Sequence, residues 1–324
     1  MEIPYTFAGI PPLSLDKAKV AVLPVAYDST TSYNAGARFG PQEIILASRF
    51  LEMYDEHLGF EPIELGITTL PELWPDLSSP KAAVADVEQS VRKLLRQKKY
   101  PVILGGEHSV TAGVAKAFQQ VHPDISVVVL DAHADLRESY QGTEYNHACV
   151  NRRILEMGLP ISILGVRGIP SEDLPLLTNP IPPPRRGGIQ APPPPRRGTA
   201  GYPRSGSARS GSCGGEKNLN LLFASDLKKS HDWLSLIEKN LGEEVYLSID
   251  LDFFDPAYVP AVGTPEPGGF GWDEANIFFQ ALAKKHRVVG FDVVELNGAL
   301  HHTPSAYFAC RLVYRLLGLY AGRR

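Results

Sequence analysis

The sequence predicts an α/β domain with a mostly parallel sheet. Two observations lead there. Six short, almost wholly apolar runs, at 20–25, 102–104, 125–130, 161–166, 245–249 and 288–294, have the composition of strands buried on both faces. The longer stretches between them carry apolar residues at helical spacing. A third observation limits the alternatives: 324 residues with 44% hydrophobic and 21% charged side chains form a globular chain of one large or two ordinary domains.

Taken in order, run 20–25 opens the series. Ala82, Val84, Val87, Val91, Leu94 and Leu95 form one stripe and predict a helix leading into run 102–104. Gly105 and Gly106 then permit a tight turn from strand to helix. Runs 125–130 and 161–166 follow. Trp233, Leu234, Ile237 and Leu241 predict a helix before run 245–249. Asp273 is placed to cap a helix through Ala275, Ile277, Phe278 and Leu282. After run 288–294 a last helix is expected over 306–317, with Gly318 as its stop. The whole chain, 1–324, is expected to be a single domain.

Residues 180–215 break the pattern. They hold nine prolines, eight glycines and the near-repeat Pro-Pro-Pro-Arg-Arg-Gly-Gly, Pro-Pro-Pro-Pro-Arg-Arg-Gly. Such a composition supports neither helix nor strand and is expected to be a loop or disordered insert. Its six arginines meet no Asp, Glu or Lys, so the segment carries +6 against a net charge of −4, leaving −10 on the rest. An acidic body excludes nucleic acid as an expected partner and suits metal cations or a cationic substrate. No run approaches the roughly 18 apolar residues of a membrane span. The opening Met-Glu-Ile-Pro-Tyr lacks the features of a signal peptide, and three scattered cysteines make no disulfide framework. The expected location is the cytoplasm, with no membrane partner.

Three clusters carry chemistry. Leu130-Asp131-Ala132-His133-Ala134-Asp135 follows an apolar strand and sets one His and two carboxylates within five residues. Residues i and i+2 of a strand share a face, so Asp131 and His133 are expected on one side. The stretch 245–252 repeats the device with Asp250 and Asp252. Two carboxylates so near a core repel and resist desolvation unless a dication joins them. Leu104-Gly105-Gly106-Glu107-His108-Ser109 ends a third strand and adds His108; it lacks the Gly-Lys-Ser/Thr of a nucleotide-binding loop. Asp255, before Pro256, is expected to be a turn residue. Two His and four Asp without a thiol argue against structural zinc and for Mn2+ or a similar hard ion. Six donors exceed the needs of one open site and suit two ions about 3.5–4 Å apart, sharing a water between them.

These motifs resemble the ureohydrolase family of arginases and agmatinases. The resemblance extends to Asp255-Pro256, Gly263-Thr264-Pro265-Glu266-Pro267-Gly268-Gly269, Gly36-Ala37-Arg38-Phe39-Gly40-Pro41 and Asp292-Val293-Val294-Glu295-Leu296-Asn297. It covers nearly all of the chain except 180–215, and Thr-Pro-Glu-Pro-Gly-Gly is closer to agmatinases than to arginases. It implies a three-layer α/β/α fold with a mostly parallel sheet of about eight strands and a centre of two Mn2+ per chain. His108, Asp131, Asp135 and Asp250 would hold one ion; His133, Asp131, Asp250 and Asp252 the other. His147 resembles the family's proton shuttle, suited by an imidazole that titrates near neutrality. Glu295 resembles the glutamate that pairs with the substrate guanidinium, whose planar fork a carboxylate can take in a bidentate way. Cys149, close to His147, is expected to be a bystander.

The implied reaction cleaves a small guanidino substrate to urea and an amine. Agmatine, giving putrescine in polyamine biosynthesis, leads. The loop 136–146 lacks the Asn/Ser-rich pattern with which arginases read an α-amino acid. Glu138 or Glu144 is expected to meet agmatine's distal ammonium, whereas Arg137 suits a carboxylate such as that of guanidinobutyrate. A homotrimer or homohexamer is implied as well. The rivals are a zinc-dependent deacetylase, which shares the general fold but uses one ion and fewer carboxylates, and a non-catalytic ureohydrolase-like binding protein.

The 180–215 segment gives the first testable expectation. Replacing it with a short Gly/Ser linker should keep the fold and urea release, since loop length costs little. Trypsin should cut the unaltered chain first at its arginines. Loss of folding on replacement would show that the segment belongs to the core.

Overall fold

The computed structural model of the protein describes residues 3–171, 173, 218–230 and 232–322; the 180–215 segment lies outside them. The elements in chain order are β1 (Val20–Pro24), α1 (Gly40–Ser48), β2 (Ile67–Thr69), α2 (Pro80–Arg96), β3 (Tyr100–Leu104), α3 (Val110–Gln119), β4 (Ser126–Leu130), α4 (Val150–Glu156), β5 (Ile161–Val166), β6 (Leu219–Phe223), α5 (Ala224–Leu227), α6 (Trp233–Ile237), β7 (Glu244–Asp250), α7 (Trp272–Lys285), β8 (Arg287–Val294) and α8 (Thr303–Leu316).

Among the described residues the strands form one parallel sheet of eight in the order β2-β1-β3-β8-β7-β4-β5-β6. Alternate strand residues feed two cores. Val22, Leu104, Leu130, Leu247 and Val293 pack with Ile44 of α1, Phe278 of α7 and Leu312 of α8. Ala21, Ile103, Val129 and Ile163 pack on the other face with Val87 of α2, Val114 of α3 and Ile154 of α4. A strand buried on both faces needs no polar alternation, which is why the runs read as continuous apolar blocks. The three-layer α/β/α class agrees with the sequence.

Several local expectations are corrected. Neither β2 nor β6 stands out in the sequence: β2 has only three residues, and of β6 only Leu219 is buried, as expected of edge strands. Gly271, not Asp273, precedes α7, and Glu274 caps it by accepting the Gly271 N–H at 2.8 Å. In α2 it is Ala83 rather than Ala82 that joins the buried stripe. Gly318 stops nothing. The chain continues from α8 into a π-helical turn over Leu317–Ala321, and a Cβ at Gly318 would lie 2.3 Å from Leu58 Cδ1. That glycine serves close packing.

A second glycine sets the approach to the functional edge. A Cβ on Gly106 would stand 2.1 Å from the Tyr27 carbonyl oxygen. That oxygen accepts the Glu107 N–H at 2.7 Å, while the Gly106 carbonyl accepts the Glu295 N–H at 2.9 Å. Gly106→Ala must therefore part the loop after β1 from the turn after β3. It is expected to cost about 1–3 kcal/mol as an overpacked site, read as a lower denaturant midpoint. An unchanged midpoint would show that the backbone gives way freely here.

Candidate active site

β3, β8, β7, β4 and β5 are consecutive neighbours, and their C-terminal ends come into register: Leu104 pairs with Val293, Asp250 with Val294, and Leu130 with both Ile249 and Leu164. Residues just past these ends must meet. His108 arrives after β3, Glu295 after β8, Asp250 and Asp252 at the end of β7, and Asp131, His133 and Asp135 after β4.

The i, i+2 pairs meet by turns and not by strand parity. β4 ends at Leu130, and Asp252 lies in a 3-10 turn over Leu251–Phe253. Within each pair the later backbone N–H donates to the earlier carboxylate: His133 to Asp131 Oδ1 at 2.6 Å and Asp252 to Asp250 Oδ1 at 2.8 Å. Ala132 N–H donates to Asp252 Oδ1 at 3.0 Å. Three carboxylates thus have one oxygen tied to backbone and the other turned inward. Asp131 Oδ2 and Asp250 Oδ2 each lie 3.2 Å from His108 Nδ1, with Asp135 Oδ2 at 3.5 Å. Asp252 Oδ2 lies 2.8 Å from His133 Nδ1.

His108, Asp131, Asp250 and Asp252 are buried, so their charges are expensive. Burial, then Asp135 and Asp252, pushes the Asp131 carboxyl up to about 7. Burial, with Asp252 and Asp131, raises Asp250 well above the carboxylate range. Burial opposes a charged His133, yet Asp252, Asp131 and Asp135 outweigh it and raise that imidazole to about 11. Buried carboxylates so close together are costly to ionise without counter-charge. The cluster also fits a cation. His108 Nδ1 and Asp131 Oδ2 are buried without a hydrogen-bond partner. Two donor groups, His108/Asp131/Asp135 and Asp131/His133/Asp252, share Asp131, with their donor atoms within 4.8 Å of one another. Carboxylates and imidazoles with no thiol suit a hard divalent ion.

A cavity of about 320 Å³ opens on the cluster, lined also by Glu295, His147, Arg137, Tyr140, Asp173 and Gly263. Glu295 has a left-handed backbone, φ 67°, which turns its side chain off the strand direction. Its Oε1 accepts the His108 N–H at 2.6 Å; its Oε2 lies near Gly263, where a Cβ would come within 3.5 Å. Burial, then the charge of Glu107, pushes Glu295 up to about 8. His147 starts a short 3-10 helix capped by Asn146, with Nδ1 3.5 Å from Thr30 Oγ1 and Nε2 3.3 Å from Ser32 Oγ.

Loop 136–146 departs from expectation. Glu138 and Glu144 do not line the cavity. Glu144 is exposed and pairs with Arg153 Nη1 at 3.3 Å, away from the cavity. Arg137 does line it, stacked 4.7 Å from the Tyr140 ring centroid. Asp255 is a turn residue, accepting the N–H groups of Ala257, Gly268 and Gly269. Cys149 is buried and its thiol is pushed up to about 11 by burial, so it is inert.

Three supporting residues escaped the sequence. Glu107 is buried beside His108 and accepts the Thr30 N–H at 2.6 Å, the Thr30 hydroxyl at 2.5 Å and the Ser109 hydroxyl at 2.6 Å. Thr30 Oγ1 in turn accepts the His147 N–H at 3.0 Å. Arg167, just past β5, donates to the carbonyls of Asp252 at 2.6 Å, Glu266 at 2.9 Å, Pro267 at 3.2 Å and Gly165 at 3.2 Å. The signal for Glu107 and Arg167 was available: a charge at the end of an apolar run. Thr30 gave none.

A parallel α/β sheet with an Asp/His cluster and a cavity at its C-terminal edge has the donors and the space that a metal-assisted reaction needs. The model of the arginase family matches residues 18–179 and 211–318. An N(1)-aminopropylagmatine ureohydrolase of Synechocystis is 34% identical over 93% of this chain and 89% of its own length. An agmatinase of Pyrococcus horikoshii is 33% identical over 96% of this chain and 95% of its own. The crystal structure of agmatine ureohydrolase of Thermoplasma volcanium has a TM-score of 0.76 at 28% identity, covering 95% of this chain and 91% of that one. The chain belongs to the arginase family, whose members are generally binuclear metal-dependent hydrolases.

Arg167 yields a stability test. A lysine ammonium has three donors and no planar fork, so Arg167→Lys cannot serve all these carbonyls. Losing one such charged contact costs about 1.5–3 kcal/mol. A lower unfolding midpoint is expected; an unchanged one would mean that loops 252–254 and 266–267 hold without it.

Proposed function

We propose that this chain hydrolyses a guanidino amine to urea and a primary amine, with agmatine, giving putrescine, as the leading substrate. The observation that carries this reading is one cavity lined by the Asp/His cluster, Glu295 and His147. His108, Asp131, Asp135 and Asp250 would hold one Mn2+, and His133, Asp131, Asp250 and Asp252 a second. A bound pair of ions supplies Lewis acidity and lowers the pKa of water at the cluster.

The chain's own groups do the rest. Glu295, with Oε1 anchored on the His108 N–H, takes the guanidinium and orients its carbon over the cluster. The arriving cation favours the carboxylate that burial disfavours. Thr30 gives its hydroxyl proton to Glu107, so its oxygen is free to accept from His147 Nδ1–H. That leaves His147 Nε2 to carry a proton to the leaving amine. Asp173 on the cavity wall favours a substrate with further positive charge. With Glu138 and Glu144 outside the cavity lining, the distal ammonium would meet Asp173 instead. A second substrate, N(1)-aminopropylagmatine, is favoured by the name of the Synechocystis relative.

Urea release with added Mn2+ across agmatine, N(1)-aminopropylagmatine, 4-guanidinobutyrate and arginine tests the reading. One of the first two is expected to have the highest kcat/KM. Absence of urea from all four would overturn it. Glu295→Gln should lower turnover on every guanidino substrate alike, by about 1.5–3 kcal/mol or roughly ten- to a hundred-fold. Arg137→Ala should weaken 4-guanidinobutyrate more than agmatine; an unmoved ratio would mean Arg137 only braces Tyr140.

A further inference from the structure

We propose that Ser248 and Asp292 form a positioning relay that fixes His108 as its Nε2–H tautomer and so turns a bare Nδ1 toward a bound divalent cation. The relay rests on the metal-centre reading above and adds residues that no part of that reading uses.

A count of donors gives the tautomer. Asp292 lies fully buried on β8. Its carboxylate accepts three hydroxyls: Ser248 on Oδ1 at 2.6 Å, and Tyr246 at 2.6 Å and Thr111 at 2.8 Å on Oδ2. A serine hydroxyl has one proton. Ser248 gives it to Asp292, so toward any other neighbour it can only accept. That neighbour is His108 Nε2, 3.2 Å away. The contact is a hydrogen bond only if Nε2 carries a proton, and in a neutral imidazole this leaves a lone pair on Nδ1. Nδ1 is the buried atom without a hydrogen-bond partner, 3.2 Å from both Asp131 Oδ2 and Asp250 Oδ2.

Metal-ligating histidines almost always give their other N–H to a carboxylate, carbonyl or water, which sets tautomer and ring orientation. Here the carboxylate is reached through one hydroxyl. The arrangement also explains why an otherwise apolar strand holds an aspartate. A carboxylate on the sheet interior is costly unless its hydrogen bonds are met, and three hydroxyls from β7 and α3 meet them.

Chelator competition with Mn2+ on the full chain tests the relay. Ser248→Ala removes the link. Asp292→Asn presents an amide that can donate to Ser248 and reverse its hydroxyl. Both are expected to weaken Mn2+ binding about ten- to a hundred-fold, the usual cost of losing an outer-shell partner. Ser248→Thr, which keeps the hydroxyl, should restore it. Thr111→Val removes one donor from Asp292 but spares the Ser248–His108 contact; it should lower the thermal midpoint without moving the affinity. A merely structural role would move all four midpoints and no affinity, and that result would overturn the relay. If the variants do not fold, 15N NMR of the histidine-labelled unaltered protein with diamagnetic Zn2+ decides: a proton on His108 Nε2 supports the relay, and one on Nδ1 overturns it. Failure of the unaltered chain to bind Mn2+ would instead overturn the metal-centre reading, and the relay with it.

Discussion

Four aspartates, three of them buried, at the C-terminal edge of a parallel sheet are costly to ionise together without a cation among them. The rest of the structure is arranged around that constraint. Asp131, Asp250 and Asp252 are buried; burial pushes the carboxyls of Asp131 and Asp250 up, while the carboxylates around His133 raise its imidazole against burial. A fold tolerates such crowding when a bound ion repays the desolvation. Asp131, Asp250 and Asp252 each have one oxygen held by a backbone N–H and the other facing a histidine, which is a preorganised way to present donors.

The sheet order makes the crowding possible. The strands that carry the candidate ligands are neighbours with their ends in register, so short turns suffice to bring six side chains together. Behind them stands a second tier of buried polar groups. Glu107 and Thr30 hold His147, Ser248 and Asp292 hold His108, and Arg167 gathers the carbonyls of the loops beside Asp252. Such outer contacts fix the orientation of the groups that meet a ligand. The loop after β1 is drawn in equally tightly. Asp28 accepts the Gly36 N–H at 2.7 Å and pairs with Arg38, and a Cβ at Gly36 would lie 2.2 Å from Asn297 Oδ1. The motif around Gly36 and the motif ending at Asn297 are thus two sides of one joint.

Much of this was legible in the sequence because parallel strands announce themselves as apolar blocks. The six central strands and the three charged strand ends follow from that rule; the three-layer arrangement was implied by the family resemblance. The edge strands β2 and β6 do not, since an edge needs little burial. Asp131 with His133, and Asp250 with Asp252, come together as expected, but through side-chain-capped turns whose geometry i, i+2 spacing alone does not reveal. Glu138 and Glu144 show the opposite failure. Charge in a loop says nothing about which way the loop faces, and Glu144 spends its charge on Arg153. Asp292 lay in view within run 288–294, yet a lone carboxylate in an apolar run has no visible partner until the fold supplies three hydroxyls.

The most direct measurement is the metal content of the chain after equilibration with Mn2+ and removal of free ion, compared between the unaltered protein and Asp131→Ala. Asp131 is shared by both donor groups. Two ions per unaltered chain, with most of both lost on removing this one carboxylate, is the expected result. A single ion per unaltered chain, or an Asp131→Ala chain that still retains two, would contradict a binuclear centre built on a shared aspartate.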